Sequence, residues 1–213
     1  MLPEWNKLKL IRSRQPQPES SFNLSKVSSL EALYVLAIAT GLRQGELLGL
    51  SWRDIDLESA KVMVRTTLQR TNGEYQLLEP KTTRSRRTLA LPEMVVDSLR
   101  AHKGRQFGEM LKAGLEWRQS ELVFTAPAGG PLSDRVVRDR FYRILENAGL
   151  RRQRFHDLRH SCASLMISQD VQSREVMETL GHSTIVITLN QYAHIFQDAR
   201  QETARKMEEI LTG

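Results

Sequence analysis

The 213-residue sequence has a single cysteine, Cys162, so it forms no internal disulfide and cannot assemble a cysteine-based zinc site. That usage suits a reducing compartment, and a cytoplasmic location is expected. Long apolar runs are missing too: the longest, Ala32 to Ala39, falls well short of the ~20 residues needed to cross a bilayer. No membrane partner is therefore expected. The opening stretch from Met1 to Arg14 lacks the basic, then apolar, then small-residue order of a secretory leader. There is no G-x-x-x-x-G-K-[ST] loop to cradle a nucleotide, no internal repeat and no low-complexity block.

What is present is an ordinary globular balance, 40% apolar and 26% charged, which excludes a disordered polyelectrolyte. The length predicts one domain, or one domain with a tail. Lys and Arg total 31 against 25 Asp and Glu, a net charge of +6, which makes a polyanion a reasonable partner but does not single one out.

Residues 1–27 carry Pro16, Pro18 and the polar run Glu19-Ser20-Ser21 with no sustained period, and read as a linker or remnant N-terminal segment. Residues 28–213 read as the folded domain. Ser28-x-x-Glu31 is a capping box, Leu30, Leu33, Val35, Leu36 and Ile38 predict a buried helix, and Gly41 its left-handed stop. A short helix follows over Gly45 to Leu50. Val62, Val64, Thr66 and Leu68 then alternate with Met63, Arg65 and Thr67, Asn72-Gly73 marks a turn, and Tyr75–Leu78 and Thr88–Leu91 complete a small antiparallel sheet. The run Lys81-Thr-Thr-Arg84-Ser-Arg86-Arg87 falls between the last two strands, predicting a basic hairpin tip. Helices dominate from Pro92 onward: one ending at Gly149, then His156–Ser168, Ser173–Leu180 stopped by Gly181, Thr184 to about Tyr192, and an amphipathic tail carrying Ala199, Thr203, Met207 and Leu211. Leu122-Val123-Phe124 reads as a short strand. The fold class is mainly α with a small antiparallel β-sheet (α+β).

The densest chemical cluster is Arg154-Phe-His156-Asp-Leu-Arg159-His160. Helical spacing puts His156, Arg159 and His160 on one face, where a guanidinium fork and two imidazoles suit an anionic group. His156-Asp157-x-x-His160 also mimics the two-histidine spacing of helical zinc hydrolases. The general-base Glu of that motif is replaced by Asp157, however, and Arg159 would set a fixed cation beside the metal. No metal and no cofactor are expected. A solvated helix with incidental histidines is the bland alternative.

The rest of the chain supplies context: Thr40-Gly41-Leu42-Arg43-Gln-Gly-Glu46, Lys81 in the basic run, Leu180-Gly181-His182, and Tyr192 ten residues after His182. In residue type, order and spacing the sequence from about Ser29 to Tyr192 resembles the tyrosine recombinases, the phage-type integrases. The resemblance implies the catalytic-domain fold of that family, and a site-specific recombinase or integrase that breaks and rejoins double-stranded DNA through a 3′-phosphotyrosine. It also implies a prokaryotic or phage origin. Carried over position by position, the catalytic set is Arg43, Lys81, His156 with Arg159, His182, and Tyr192.

Each role has a physical rationale. Attack on a phosphodiester builds negative charge on non-bridging oxygens, which Arg43 and Arg159 can meet from two directions. Lys81, with a reference pKa of ~10.4, holds a proton for the leaving 5′-oxygen. His182 offers a further hydrogen bond to the phosphate. Tyr192, a phenol of reference pKa ~10, needs a base, and His156 is the expected one. Arg84, Arg86, Arg87, Arg151, Arg152 and Arg154 are expected to contact phosphates and so to position DNA without reading its sequence.

The family's separate N-terminal DNA-clamping domain finds only residues 1–27 here, so a truncated DNA-binding relic stays open as an alternative; a type IB topoisomerase-like relaxing activity, which uses the same chemistry but rejoins the original ends, stays open as another. The resemblance further implies a tetramer on DNA and allows a monomer when free. The tail helix either packs on a neighbouring protomer or covers this protomer's own core.

Overall fold

The computed structural model describes residues 30–79 and 86–182, together with residues 184, 186, 192, 207, 208, 210 and 211. The expected capping serine Ser28, the basic-run residues Lys81 and Arg84, and most of the helix expected over Thr184–Tyr192 lie outside these residues.

The first helix, α1 (Glu31–Thr40), buries Ala32, Leu33, Leu36, Ala37 and Thr40, and Leu30 occupies its N-cap. Gly41 ends it at φ 62°. A side chain there would meet more than the backbone penalty of the left-handed region, because a Cβ on Gly41 would lie 2.6 Å from Leu180 Cδ2. A short α2 (Gln44–Leu48) follows and presses against a strand, β3 (Thr67–Thr71). The approach is close enough that a Cβ on Gly49 would stand 2.9 Å from the Leu68 amide nitrogen.

The alternating segment expected as one strand is divided. β1 (Ile55–Asp56), β2 (Lys61–Val64) and β5 (Arg87–Ala90) form an antiparallel sheet in the order β1-β2-β5, with Val62 opposite Leu89 and Val64 opposite Arg87. β3 pairs instead with β4 (Glu74–Leu78) in a separate hairpin around Asn72-Gly73. Both turn residues have positive φ, 52° and 89°, as a two-residue hairpin of matching twist requires. The break follows from packing: Thr66 leaves the ladder to donate its hydroxyl to the Gly49 carbonyl at 2.6 Å, which carries the chain across to α2. The predicted final hairpin is therefore corrected, since β5 pairs with β2 rather than β4.

α3 (Glu93–Ala113) starts after Pro92 and packs on α1. The segment Leu122–Phe124 is buried but is not a sheet strand; Leu122 makes only an isolated bridge with Ser51. Its carbonyls are met by α3 side chains, Gln106 Nε2 to Leu122 O at 3.0 Å and His102 Nε2 with Val123 O at 2.7 Å. Side-chain partners thus replace a ladder. α4 (Asp134–Asn147) is followed by α5 (Asp157–Ser168), which packs on α1, and by α6 (Ser173–Leu180), which packs on both α5 and β5. Gly181 stops α6 at φ 64°. One apolar core runs from Leu30 to Leu158; a second small cluster joins Ala163, Ile167, Val176, Leu180 and Tyr192. Of the tail, Met207, Glu208, Ile210 and Leu211 are helical, with the three apolar side chains exposed. No helix among the described residues is long and apolar enough to cross a membrane.

Candidate active site

The site is organised by the C-terminus of α6. A helix ends with carbonyls that have no partner within the helix and with the negative pole of its dipole, so cations collect there. Three consecutive carbonyls are each met by a different arginine. Thr179 O accepts from Arg87 Nε at 2.9 Å, Leu180 O from Arg159 Nη2 at 2.6 Å, and Gly181 O from Arg43 Nη2 at 3.4 Å. The arginines arrive from β5, from α5 and from the N-cap of α2, parts of the chain that only folding brings together.

Arg159 is the most enclosed, 4% exposed, and its Nη1 also donates to Gly41 O at 2.7 Å. Its guanidinium thus lies between the ends of two helices. Burial, then the neighbouring charges of Arg43 and Arg87, lower its pKa to about 10 against the opposing pull of Glu46, so it stays charged at neutral pH.

Glu46 holds the other two arginines. Its carboxylate accepts from Arg87 Nη1 and Nη2 at 3.2 and 3.0 Å, from Arg43 Nη1 at 3.0 Å and from the Arg43 backbone N–H at 2.9 Å. Burial pushes its pKa up, but the hydrogen bonds and charges of Arg87 and Arg43 outweigh that and hold it below the usual carboxylate range. Glu46 is thus a buried acid gripping two cations. Arg87 is corrected: its side chain is 8% exposed, packed under Gly181, not carried on a basic tip. The alternation of β5, where Arg87 and Leu89 face inward together, is the sequence signal that marks it.

His182 follows directly on the arginine-bound carbonyls and is half-buried. Burial, then the charges of Arg159, Arg43 and Arg87, push its imidazole down to about 4. The unfolded chain therefore takes up a proton below its ordinary value of ~6.5 while the folded chain resists. The stability that neutral His182 contributes is complete above pH ~6.5 and is lost as pH falls toward the folded value. His182→Asn is expected to flatten the decline of the melting temperature between pH 6.5 and 4.5; parallel declines in the two proteins would contradict this.

Tyr192 is 2% exposed, in the pocket of Ala163, Ile167, Val176 and Leu180. Burial raises its phenol pKa, and the charge of Arg159 opposes the rise. The hydroxyl is hydrogen-bonded to Nδ1 of His160 at 3.1 Å. His156, expected as the base, is exposed at the N-cap of α5, with its ring edge-on to His160 at 5.1 Å. Desolvation, then His160 and Arg159, lower its pKa. Asp157, which a zinc reading would set beside the histidines, is bound to Arg154 Nη2 at 3.1 Å. Among the described residues no group of three or more His, Cys, Asp or Glu side chains could hold a metal ion.

The structure thus gathers Arg43, Arg159, His182 and Tyr192 around the end of α6, with His156 one turn from the phenol's partner. Of the flanking cations, Arg86 pairs with Glu79 at the surface, Arg152 lies 4.1 Å above the Tyr142 ring, and Arg151, Arg152 and Arg154 are exposed. Glu46, Arg87 and His160 are the contributors that motif reading under-weighted.

The chain is 35% identical over 193 residues to a tyrosine recombinase XerC-like protein of Caldanaerobacter subterraneus subsp. tengcongensis, covering 85% of this chain and 49% of that one. It is 28% identical to the ICEBs1 integrase of Bacillus subtilis, covering 85% and 49%. The chain spans about half the length of the curated relatives it matches. Its fold superposes on the Tn1549 transposon integrase in complex with transposon right-end DNA, with a TM-score of 0.70 at 23% identity over 90% of this chain and 67% of that one. It also superposes on the XerA recombinase, with a TM-score of 0.66 at 18% identity over 91% and 66%. The model of the phage integrase family matches residues 21–198, and the chain belongs to that family.

Proposed function

We propose that residues 28–213 are the catalytic part of a site-specific DNA recombinase that cleaves and rejoins double-stranded DNA through a covalent bond between Tyr192 and a 3′-phosphate, with residues 1–27 as a linker. The observation that carries this reading is the convergence of Arg43, Arg159 and His182 at the end of α6, with a buried, hydrogen-bonded tyrosine against the same helix.

In the reaction the Tyr192 oxygen attacks the phosphorus and the bond to the 5′-oxygen breaks. Arg43 and Arg159 face the charge that develops on the non-bridging oxygens; being fixed beforehand by Glu46 and by helix-end carbonyls, they need little reorganisation. His182, neutral at pH 7, and His156 offer ring N–H donors to the phosphate. Lys81 supplies the proton that the departing 5′-oxygen requires. Because the phosphotyrosyl ester keeps the energy of the broken linkage, a 5′-hydroxyl from a partner strand reverses the step with no nucleotide hydrolysed. Arg86, Arg151, Arg152 and Arg154, on the surface, and Arg84 supply phosphate contacts. Arg87 acts from within by holding Glu46. The exposed Met207, Ile210 and Leu211 favour a tail that docks on a neighbouring protomer, with a tetramer on DNA and a monomer without it.

The test is covalent capture. The protein is incubated with a sequence-randomised pool of nicked duplexes, denatured, and the protein-bound DNA recovered. An adduct mapped by mass spectrometry to Tyr192 is expected. Binding to captured duplexes should weaken by roughly 10³-fold or more between 50 and 200 mM salt, as several phosphate contacts release counterions. No adduct from any duplex, or one mapped elsewhere, would overturn the reading.

A further inference from the structure

The phenol of Tyr192 and the imidazole of His160 are in direct contact. His160 sits on α5 one turn after His156, half-buried, and its Nδ1 is the atom hydrogen-bonded to the Tyr192 oxygen at 3.1 Å. The two rings meet edge to face, with centroids 5.9 Å apart at 60°. Among the described residues the apolar side chains packed about Tyr192 are Ala163, Ile167, Val176 and Leu180, with Met166 and Val171 at their margin. Releasing a proton from a phenol in such surroundings requires an acceptor already in contact with it, since the anion gains little solvation there. The His156 ring meets His160 nearly at right angles, with centroids 5.1 Å apart, and the hydrogen bond to the phenol is made by His160.

We propose that His160, rather than His156, is the catalytic group that orients Tyr192 and takes its proton. This rests on the reading of Tyr192 as the DNA-cleaving nucleophile. With the imidazole proton on Nε2, Nδ1 accepts the phenol O–H. As the Tyr192 oxygen bonds to phosphorus, its proton passes to Nδ1 and His160 becomes an imidazolium. The bond to the 5′-oxygen breaks, and that oxygen is protonated by a separate donor, Lys81. On rejoining the imidazolium returns its proton to the phenolate that leaves.

Two measurements test the pair. In the free protein, ¹⁵N imidazole spectra should show His160 Nδ1 as a hydrogen-bond acceptor, and this signature should change in Tyr192→Phe; a spectrum unmoved by that substitution overturns the pairing. With captured duplexes, His160→Ala and His160→Asn should each slow adduct formation by roughly 10²-fold or more while duplex affinity holds, the effect of losing a general base. His160→Asn keeps a polar group near the phenol and preserves the fold if alanine does not. Cleavage within roughly threefold of the parent rate in His160→Ala, or its full recovery in His160→Asn, would overturn the proton transfer. Absence of any adduct with the parent protein defeats the recombinase reading instead, and the imidazole spectra still decide whether His160 holds Tyr192.

Discussion

Tyr192→Phe is expected to remove the covalent protein–DNA adduct entirely while duplex binding is retained. The phenol oxygen is the only atom the substitution deletes, and in the proposed mechanism no other nucleophile stands in for it. The fold should tolerate the change, because the phenyl ring still fills the pocket of Ala163, Ile167, Val176 and Leu180. What is lost is one hydrogen bond to His160, worth about 0.5–1.5 kcal/mol net. Denaturing electrophoresis of the captured duplex and a thermal melt together check both halves. Adduct formed in undiminished yield by Tyr192→Phe would rule out this nucleophile, and a collapsed melt with no adduct would show the tyrosine to be structural.

The largest effect on stability should come from a residue that never touches substrate. Glu46→Ala strips the carboxylate from two guanidiniums, and Arg87, with its side chain 8% exposed, cannot turn to water. Breaking a buried pair by removing one partner costs about 3–5 kcal/mol, since the charge left behind is uncompensated. For a chain of this size that corresponds to a fall of roughly 6–20 °C in melting temperature. Arg43→Ala is the informative contrast. Its side chain is 45% exposed, so its share of the same carboxylate is a screened pair worth about 0.2–1 kcal/mol. It should melt nearly as the parent does and yet lose cleavage, because it withdraws a donor from the phosphate. Equal destabilisation by Glu46→Ala and Arg43→Ala would mean that the Arg87 pair is not what closes this part of the core.

Much of the local structure can be read without coordinates. Gly41 and Gly181 follow helical patterns and do end α1 and α6 in the left-handed region. Asn72-Gly73 makes the hairpin turn, and Val62 and Val64 face inward as their alternation demands. These features depend on neighbours in sequence, where residue type alone constrains the backbone. Thr66 shows the boundary of such reading: its place in the alternation predicts a continuous strand, and a hydroxyl bond to a carbonyl 17 residues earlier divides it.

The sequence by itself determined the inventory and its order: which arginines, histidines and tyrosine exist, at what spacing, and the helices and strands that carry them. Tertiary structure decided which of those groups meet. The three consecutive carbonyls at the end of α6 and its cap that gather Arg87, Arg159 and Arg43 are backbone atoms with no signature in residue type, so nothing along the chain announces them. Whether Glu46 is a surface acid or a buried one depends on β5 arriving beside α2 with Arg87 turned inward. The choice between His156 and His160 follows the same rule. They stand one turn apart on one helix, and only the position of Tyr192, 32 residues further on, determines which imidazole lies against its oxygen.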